Sequence, residues 1–474
     1  MGVASFRLGD SLGPDRSLGK NLYSPRTELA QADPHGNLLL TGLSSGSPSS
    51  THATVRQASD TDNLQDIVTD GPGETFEEVY QLLKRNYVDW KEGVNDDSQL
   101  AHGAASAMLA SLGDPKSRFV DANQMKELQA EIDGIYHGIG AVTDVKTLVH
   151  GDPKSKTAPG YTEYRLTVVA PLVGSPAEKA GLQAGDAITE IDGKWLATYD
   201  PVAAATKQLK AVQDDPVAFN KLATQIQKQV ENAMSLSDGE DKLTQTSATP
   251  LVLTVERAGE AKPLKITIDV SGTTTVTPIV ARSLPNGVGY IHINQITPGS
   301  EKDFQTALDN FGNDLKGLVL DLRNTPGGQL GAAKEIAQKI SNGKVFGISE
   351  KKGKITSVIA LKSAKQINCP VVVLINAGTA STAELLAAEL HDSGSKLVGQ
   401  TTFGDSMNVV PVVLRDGSGF TMTVGKFYTA SHAPFTSGIK PDIVVPSTAS
   451  SDELLNQAIG TFTGRVAVVP TTRG

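Results

Sequence analysis

Asn376-Ala377-Gly378-Thr379-Ala380-Ser381-Thr382-Ala383-Glu384 is the stretch on which the reading of this chain turns. It follows an apolar run of buried-strand type, Val371 to Ile375, and opens a helical pattern that continues through Leu390. A serine on a sharp strand-to-helix turn has its Oγ exposed and the positive end of the helix dipole beneath it. That placement suits a nucleophile whose oxyanion is held by backbone N–H groups. Outward from this turn, strands and helices alternate. Val288 to Ile293 reads as a core strand, Glu301 to Phe311 as a helix, Leu315 to Leu322 as a strand, Leu330 to Ile340 as a helix and Lys396 to Val398 as a strand. The alternation predicts the α/β class.

The nucleophile segment resembles that of the C-terminal processing (tail-specific) serine peptidases, with Ser381 at the nucleophile position. Asp321-Leu322-Arg323-Asn324-Thr325-Pro326-Gly327-Gly328 resembles the same family's oxyanion loop. Carried over, Gly327 or Gly328 contributes one N–H to the oxyanion, and Thr382 another. The family's general base is a lysine in a Phe-Gly-Lys-Gly motif. Here the matching stretch is Thr402-Phe403-Gly404-Asp405-Ser406, which places Asp405 at the lysine position and Ser406 at the glycine after it. Val409 stands where a glutamine often orients the lysine. Gly438 to Val445 matches the family's closing segment and reads as structural.

Serine near neutral pH is an inert alcohol without a base in hydrogen-bond reach. Lysine serves when burial depresses its pKa. An aspartate, with an ordinary pKa of about 3.9, has little driving force to take a proton from an alcohol. Four other residues lie nearby in the sequence. Lys396 and Lys426 read as surface or structural charges, and His391 lies too far down the helix. His432 sits on a loop that can fold back, so a Ser381–His432–Asp405 arrangement stays open. Glu384 reads as a favourable charge near a helix N-terminus.

Between Gly138 and about Val270 the chain resembles a PDZ domain, through Gly138-Ile139-Gly140-Ala141, Gly174-Ser175-Pro176-Ala177, Gly185-Asp186 and Ile191-Asp192-Gly193. The resemblance implies that Gly138, Ile139, Gly140 and Ala141 receive a chain-terminal carboxylate and that a neighbouring sheet edge pairs with the peptide. The region carries an insert at about 201–249. Val202, Ala205, Leu209 and Val212 suggest one helix, and Phe219, Leu222, Ile226 and Val230 another ending near Met234. A turn Ser237-Asp238-Gly239-Glu240 and a polar loop are expected after them.

Residues 1–73 are rich in Gly, Ser, Pro, Asp and Thr and read as a disordered arm or linker. Residues 74–135 read as a helical N-terminal region, with Thr75 and Glu78 as a capping box, 136–273 as the PDZ-like domain, 274–460 as the peptidase core and 461–474 as a tail. The family's fold, by resemblance, is a crotonase/Clp-like α/β peptidase core, α+β multidomain overall, with an inserted PDZ domain.

The composition is 39% hydrophobic and 20% charged, ordinary for a globular protein of 474 residues. A net charge of −9 with no basic cluster speaks against nucleic acid as a partner. The single cysteine, Cys369, excludes an internal disulfide framework and a multi-cysteine metal site, and neither a metal nor a cofactor is expected. No apolar stretch is long enough for a membrane span. The first residues do not read as a signal peptide, whereas the family resemblance implies an exported or periplasmic location. The expected partners are protein or peptide C-terminal tails, with a homo-oligomer left open. Two functions follow from the resemblance: a C-terminal processing serine endopeptidase with a substituted base, or a catalytically inactive relative that keeps tail binding as a scaffold or regulator.

Overall fold

The computed structural model describes residues 72–87, 97–150, 161–196, 205, 208–270, 272–312, 314–362, 366–446 and 450–462. The arm up to residue 71, Val202 of the insert and the tail from 463 lie outside the described residues. The described residues divide into two compact units, one ending at Ser111 and the other beginning at Leu112. In the first, helix α1 spans Pro72–Asn86 and α2 spans Asp97–Ala110. The first helix begins at Pro72, so Thr75 lies inside it and is not its cap. Proline's fixed φ suits the first helical position, where a missing N–H costs nothing.

The larger unit opens with helix α3, Ala122–Ile132, capped by Asp121, whose side chain accepts the N–H groups of Asn123 and Gln124. The PDZ-like region is an antiparallel sheet of β1 (Ala141–His150), β2 (Tyr161–Pro171), β3 (Ala187–Ile191), β4 (Lys194–Trp195), β5 (Leu251–Glu256) and β6 (Leu264–Ile268). The spatial order is β1-β2-β3-β5-β6, with β4 on β3, so β1 is an edge strand. Helices α4 (Pro176–Lys179), α5 (Pro216–Glu231) and α6 (Leu236–Thr244) complete it.

Helix α6 corrects the expectation of a turn and polar loop. Ser235 caps it by accepting the Asp238 N–H, and Leu236 and Leu243, on one face, are buried in the sheet's own core with Ile139, Leu166 and Leu253. Each such buried leucine contributes about 1.5–3 kcal/mol, more than the cost of one helical glycine, roughly 1 kcal/mol. The turn-like composition of Ser237–Glu240 is thereby overridden. The rest of the insert has a separate small core, in which Ala205, Leu209 and Ile226 meet Trp195, Phe219 and Leu222.

Residues 279–444 hold a second six-stranded sheet in the order β7 (Ile279–Leu284), β8 (Val288–Ile293), β9 (Gly317–Asp321), β10 (Val371–Ile375), β11 (Lys396–Gly399) and β12 (Ile443–Val444). Only the β7–β8 pair is antiparallel. Both faces are covered, which is why β10 and Leu318–Leu320 of β9 are continuously apolar. On one face lie α7 (Ser300–Phe311), α8 (Leu330–Ile340) and α9 (Thr382–Asp392), around Phe304, Ile336, Leu386 and the buried Cys369. On the other lies α10 (Ser451–Phe462), through Leu454 and Ala458. A separate five-stranded sheet contains Phe119–Val120, Val345–Lys351, Lys354–Ala360, Met407–Val413 and Gly419–Tyr428. The segment 400–406 therefore runs from the end of β11 into this outer sheet, past the C-terminal end of β10, where the Gln400 N–H donates to the Ile375 carbonyl.

Candidate active site

Strand β10 ends at Ile375, and the chain turns through Asn376–Ala380 before α9 begins at Thr382. Ser381, at the helix start, has φ 54° and ψ −121°. A non-glycine residue held at positive φ costs on the order of 1–3 kcal/mol and persists only where its surroundings over-determine it. They do so here. Asn376 Oδ1 accepts the N–H of Asn324 at 2.9 Å and of Gly378 at 3.0 Å, and its Nδ2 donates to Asn324 Oδ1. Thr379 Oγ1 donates to the Leu322 carbonyl at 2.7 Å, and Ala380 N–H donates to the Thr325 carbonyl. The nucleophile turn is thus laced to the 321–328 loop.

That lacing brings Ser381, Thr382, Gly327 and Gly328 together. A side chain at Gly327 would stand 3.0 Å from Ser381 Cβ and 3.1 Å from Thr382 N. Thr382 Oγ1 donates to the Gly328 carbonyl at 3.2 Å. Neither the Gly328 N–H nor the Thr382 N–H donates to another described residue. N–H groups left unspent on two loops that meet beside a serine are what an oxyanion requires.

Asp321 anchors the start of the glycine loop. It is fully buried and accepts the Tyr290 hydroxyl at 2.7 Å, the Arg323 N–H at 3.0 Å and the Arg323 guanidinium on both oxygens. Burial would raise its carboxyl, but Arg323 outweighs burial and holds it below the usual carboxylate value. The stabilisation is present above the ordinary carboxylate range and is lost as pH falls through the depressed value. Asp321→Asn should therefore cost about 2–4 kcal/mol at neutral pH, with the gap to wild type narrowing in acid. Denaturant unfolding at several pH values checks this, and a constant gap down to pH ~3 would count against it.

Glu384 is more than the favourable terminal charge expected of it. It is fully buried and gathers four donors: Ser381 N–H at 3.0 Å and Asp405 N–H at 2.9 Å on Oε2, Gly404 N–H at 2.8 Å and the Thr402 hydroxyl on Oε1. Burial pushes its carboxyl up to about 8, against the pull of Thr402, Gly404 and Asp405. The sequence signal was only an acidic residue one turn after the serine. Its tie to 402–405 is tertiary and has no local signature.

Asp405 thus shares the Glu384 carboxylate with Ser381 through its backbone N–H, while its own carboxylate is bonded elsewhere. Oδ1 accepts Lys116 Nζ at 3.0 Å and the Met407 N–H at 3.1 Å, and Lys116 also pairs with Asp144 of β1. No hydrogen bond joins the Asp405 carboxylate to Ser381 among the described residues. The other candidates are elsewhere. Lys396 pairs with Asp442 at 2.9 Å, and His391 faces the same carboxylate at 3.5 Å. Lys426 is in the outer sheet opposite Glu350 and Met407. His432 packs edge-on against Tyr428 and lies 3.7 Å from Glu350, so the Ser381–His432–Asp405 arrangement is not formed.

The PDZ loop enters β1. Ile139 N–H donates to the Leu243 carbonyl of α6 at 2.9 Å, the Ile139 carbonyl takes the Ala177 N–H, and the Gly140 carbonyl takes the Leu172 N–H. Sequence reasoning missed Lys116, Asp144 and Lys146, which approach the 402–406 loop from two distant segments.

Residues 287–445 match the model of peptidase family S41, and residues 167–209 match the PDZ domain model. The C-terminal processing peptidase of the Tetradesmus obliquus chloroplast is 30% identical over 397 residues, covering 78% of this chain and 76% of that relative. The carboxy-terminal processing protease CtpA of Bacillus subtilis is 29% identical over 381 residues, covering 79% of this chain and 69% of that relative. In fold the chain is similar to the solved photosystem II D1 C-terminal processing protease, with a TM-score of 0.56 at 23% identity over 83% of this chain and 98% of that one. The chain belongs to the C-terminal processing serine peptidases of family S41. Its architecture is the mixed α/β peptidase fold with a PDZ domain.

Proposed function

We propose that this protein is a serine endopeptidase that binds the C-terminal tails of protein substrates through its PDZ region and attacks near them with Ser381. The observation that carries the reading is the strained Ser381 turn held against the Gly327–Gly328 loop, with the Gly328 and Thr382 N–H groups left for an oxyanion. A turn so expensive to hold, with its donors unspent, fits retained chemistry better than a residual scaffold. Tail binding is assigned to Gly138–Ala141 and the free edge of β1. A terminal carboxylate that takes the Ile139 N–H replaces the bond now made to Leu243, so docking loosens α6 from the loop.

The second reading is a tail-binding scaffold without turnover. It is favoured by the Asp405 carboxylate, which stands at the family's lysine position and is committed to Lys116. Cleavage of unfolded proteins with apolar C-termini separates the two. Wild-type cleavage that disappears in Ser381→Ala supports the peptidase. An inert wild type that gains cleavage in Asp405→Lys, while still binding tail peptides, supports the scaffold.

A further inference from the structure

We propose that Lys146, carried on the PDZ edge strand β1, is the general base for Ser381, in place of the lysine lost at position 405. The inference rests on the peptidase reading above and names the group that reading lacks.

Strand alternation gives β1 two faces. Val145 points into the PDZ core. Val142, Asp144 and Lys146 point the other way, against the loop beside the nucleophile. Val142 packs on Ala380 and Phe403, Asp144 binds Lys116, which holds Asp405, and Lys146 Nζ donates to the Phe403 carbonyl at 2.9 Å while lying 4.8 Å from the centre of its ring. Phe403 is itself tied to the nucleophile turn, because its N–H donates to the Thr379 carbonyl at 2.9 Å. The next two residues donate to Glu384, which also takes the Ser381 N–H. Lys146 therefore brings an amine to the loop from which the family's lysine acts.

Among the described residues two lysines bond to this loop, and their surroundings separate them. Lys116 sits between two carboxylates. Burial alone would lower its pKa, but Asp144 and Asp405 outweigh burial and hold the ammonium above the ordinary lysine value. It is a fixed cation that pins β1 to the loop and cannot release a proton near neutral pH. Lys146 has a carbonyl as its hydrogen-bond acceptor, and burial lowers its pKa, with Glu384 and Asp144 as the charged groups that partly oppose the shift. Only Lys146 has the electrostatics of a base.

In this structure Nζ rests on the Phe403 carbonyl. For reaction it leaves that oxygen and turns to Ser381 Oγ. The neutral amine takes the Oγ–H proton as Oγ bonds to the scissile carbonyl carbon, and the oxyanion lies on the Gly328 and Thr382 N–H groups. The Lys146 ammonium then gives its proton to the departing amine as the C–N bond breaks, leaving an acyl-enzyme. Water attacks the ester with its proton passing to Nζ, and that proton returns to Oγ as the acid departs.

The experiment uses the full chain and follows both cleavage of an unfolded protein with an apolar C-terminus and labelling of Ser381 by a fluorophosphonate probe. Lys146→Met and Lys146→Arg should each slow both by about 100-fold or more, in the range of general-base loss. Arginine keeps the charge but cannot act as base. Lys396→Met, on the far surface, should stay near wild type. Asp405→Lys added to Lys146→Met should restore labelling, which a merely unfolded variant would not permit. The wild-type labelling rate should rise with pH to a midpoint below the ordinary lysine value of about 10.4. An active wild type whose Lys146→Arg variant remains active, or whose midpoint lies at the ordinary value, overturns the assignment alone. A wild type as inert as Ser381→Ala overturns the peptidase reading and the assignment with it.

Discussion

Glu384→Ala should lower the unfolding free energy by roughly 3–6 kcal/mol, since a buried donor left without its acceptor costs about 1–3 kcal/mol and four lose theirs together. The four are the Ser381, Gly404 and Asp405 N–H groups and the Thr402 hydroxyl. Water entering the space left by the side chain recovers part of the sum, which is why the expected total is below four full penalties. The nucleophile turn and the 402–405 loop lose their shared acceptor, so Ser381 labelling should fall with stability. Glu384→Gln keeps one acceptor oxygen and should lie between. The pH dependence has a fixed sign. With burial holding the folded carboxyl at about 8, above its ordinary 4.5, the folded state binds a proton that the unfolded state has released between those values. The Glu384 contribution is therefore greatest below pH ~4.5 and declines as pH rises towards 8. Urea midpoints across that range should show the decline in wild type and not in Glu384→Gln. Equal slopes in the two proteins would refute it.

Gly328→Ala is expected to be the most damaging single methyl in the 321–328 loop. Its φ is +134°, and an added Cβ would lie 2.1 Å from the Ile296 carbonyl oxygen and 2.9 Å from the carbonyl carbon. Both are backbone atoms, so no side-chain rotation relieves the collision. Ile296 is also fixed on both sides, its N–H donating to the Gly327 carbonyl and its carbonyl accepting the Gln329 N–H. The loop must move, at an expected cost above ~3 kcal/mol, and the Gly328 N–H moves with it. Gly181→Ala isolates the collision from the backbone strain. Gly181 also has positive φ, +82°, but nothing lies within 4 Å of its added Cβ, and its expected cost is about 1–2 kcal/mol. Thermal unfolding of the two variants gives the comparison. Similar losses would mean that the loop yields easily and that the close contact is unimportant.

The parts of the site that were legible in sequence are those whose chemistry is local. Ser381 and Thr382 share one turn, and Gly327 with Gly328 form another, so residue type and order carried the message. The strands flanking them were legible because burial on both faces leaves an unbroken apolar run, as in Val371–Ile375. What failed to show were features set by distant segments. Helix α6 was hidden because Ser237–Glu240 has turn composition, and only the sheet surface that receives Leu236 and Leu243 makes it a helix. Glu384 looked like a terminal charge because its partners Thr402, Gly404 and Asp405 are remote in the chain. Lys116, Asp144 and Lys146 meet the Phe403–Asp405 loop across separations that no motif spans.

The two faces of β1 have a consequence for protein engineering. On the proposed function, the strand whose edge takes a tail is also the one that holds Lys146 on the Phe403 carbonyl and Asp144 on Lys116. A chimera that exchanged the PDZ region for another would import a new tail preference and, in the same cut, discard the amine while leaving Lys116 with Asp405 as its one remaining carboxylate partner among the described residues. Under that proposal selectivity and turnover are inherited as one block, and a graft that spares Asp144 and Lys146 is the one that changes the first without losing the second.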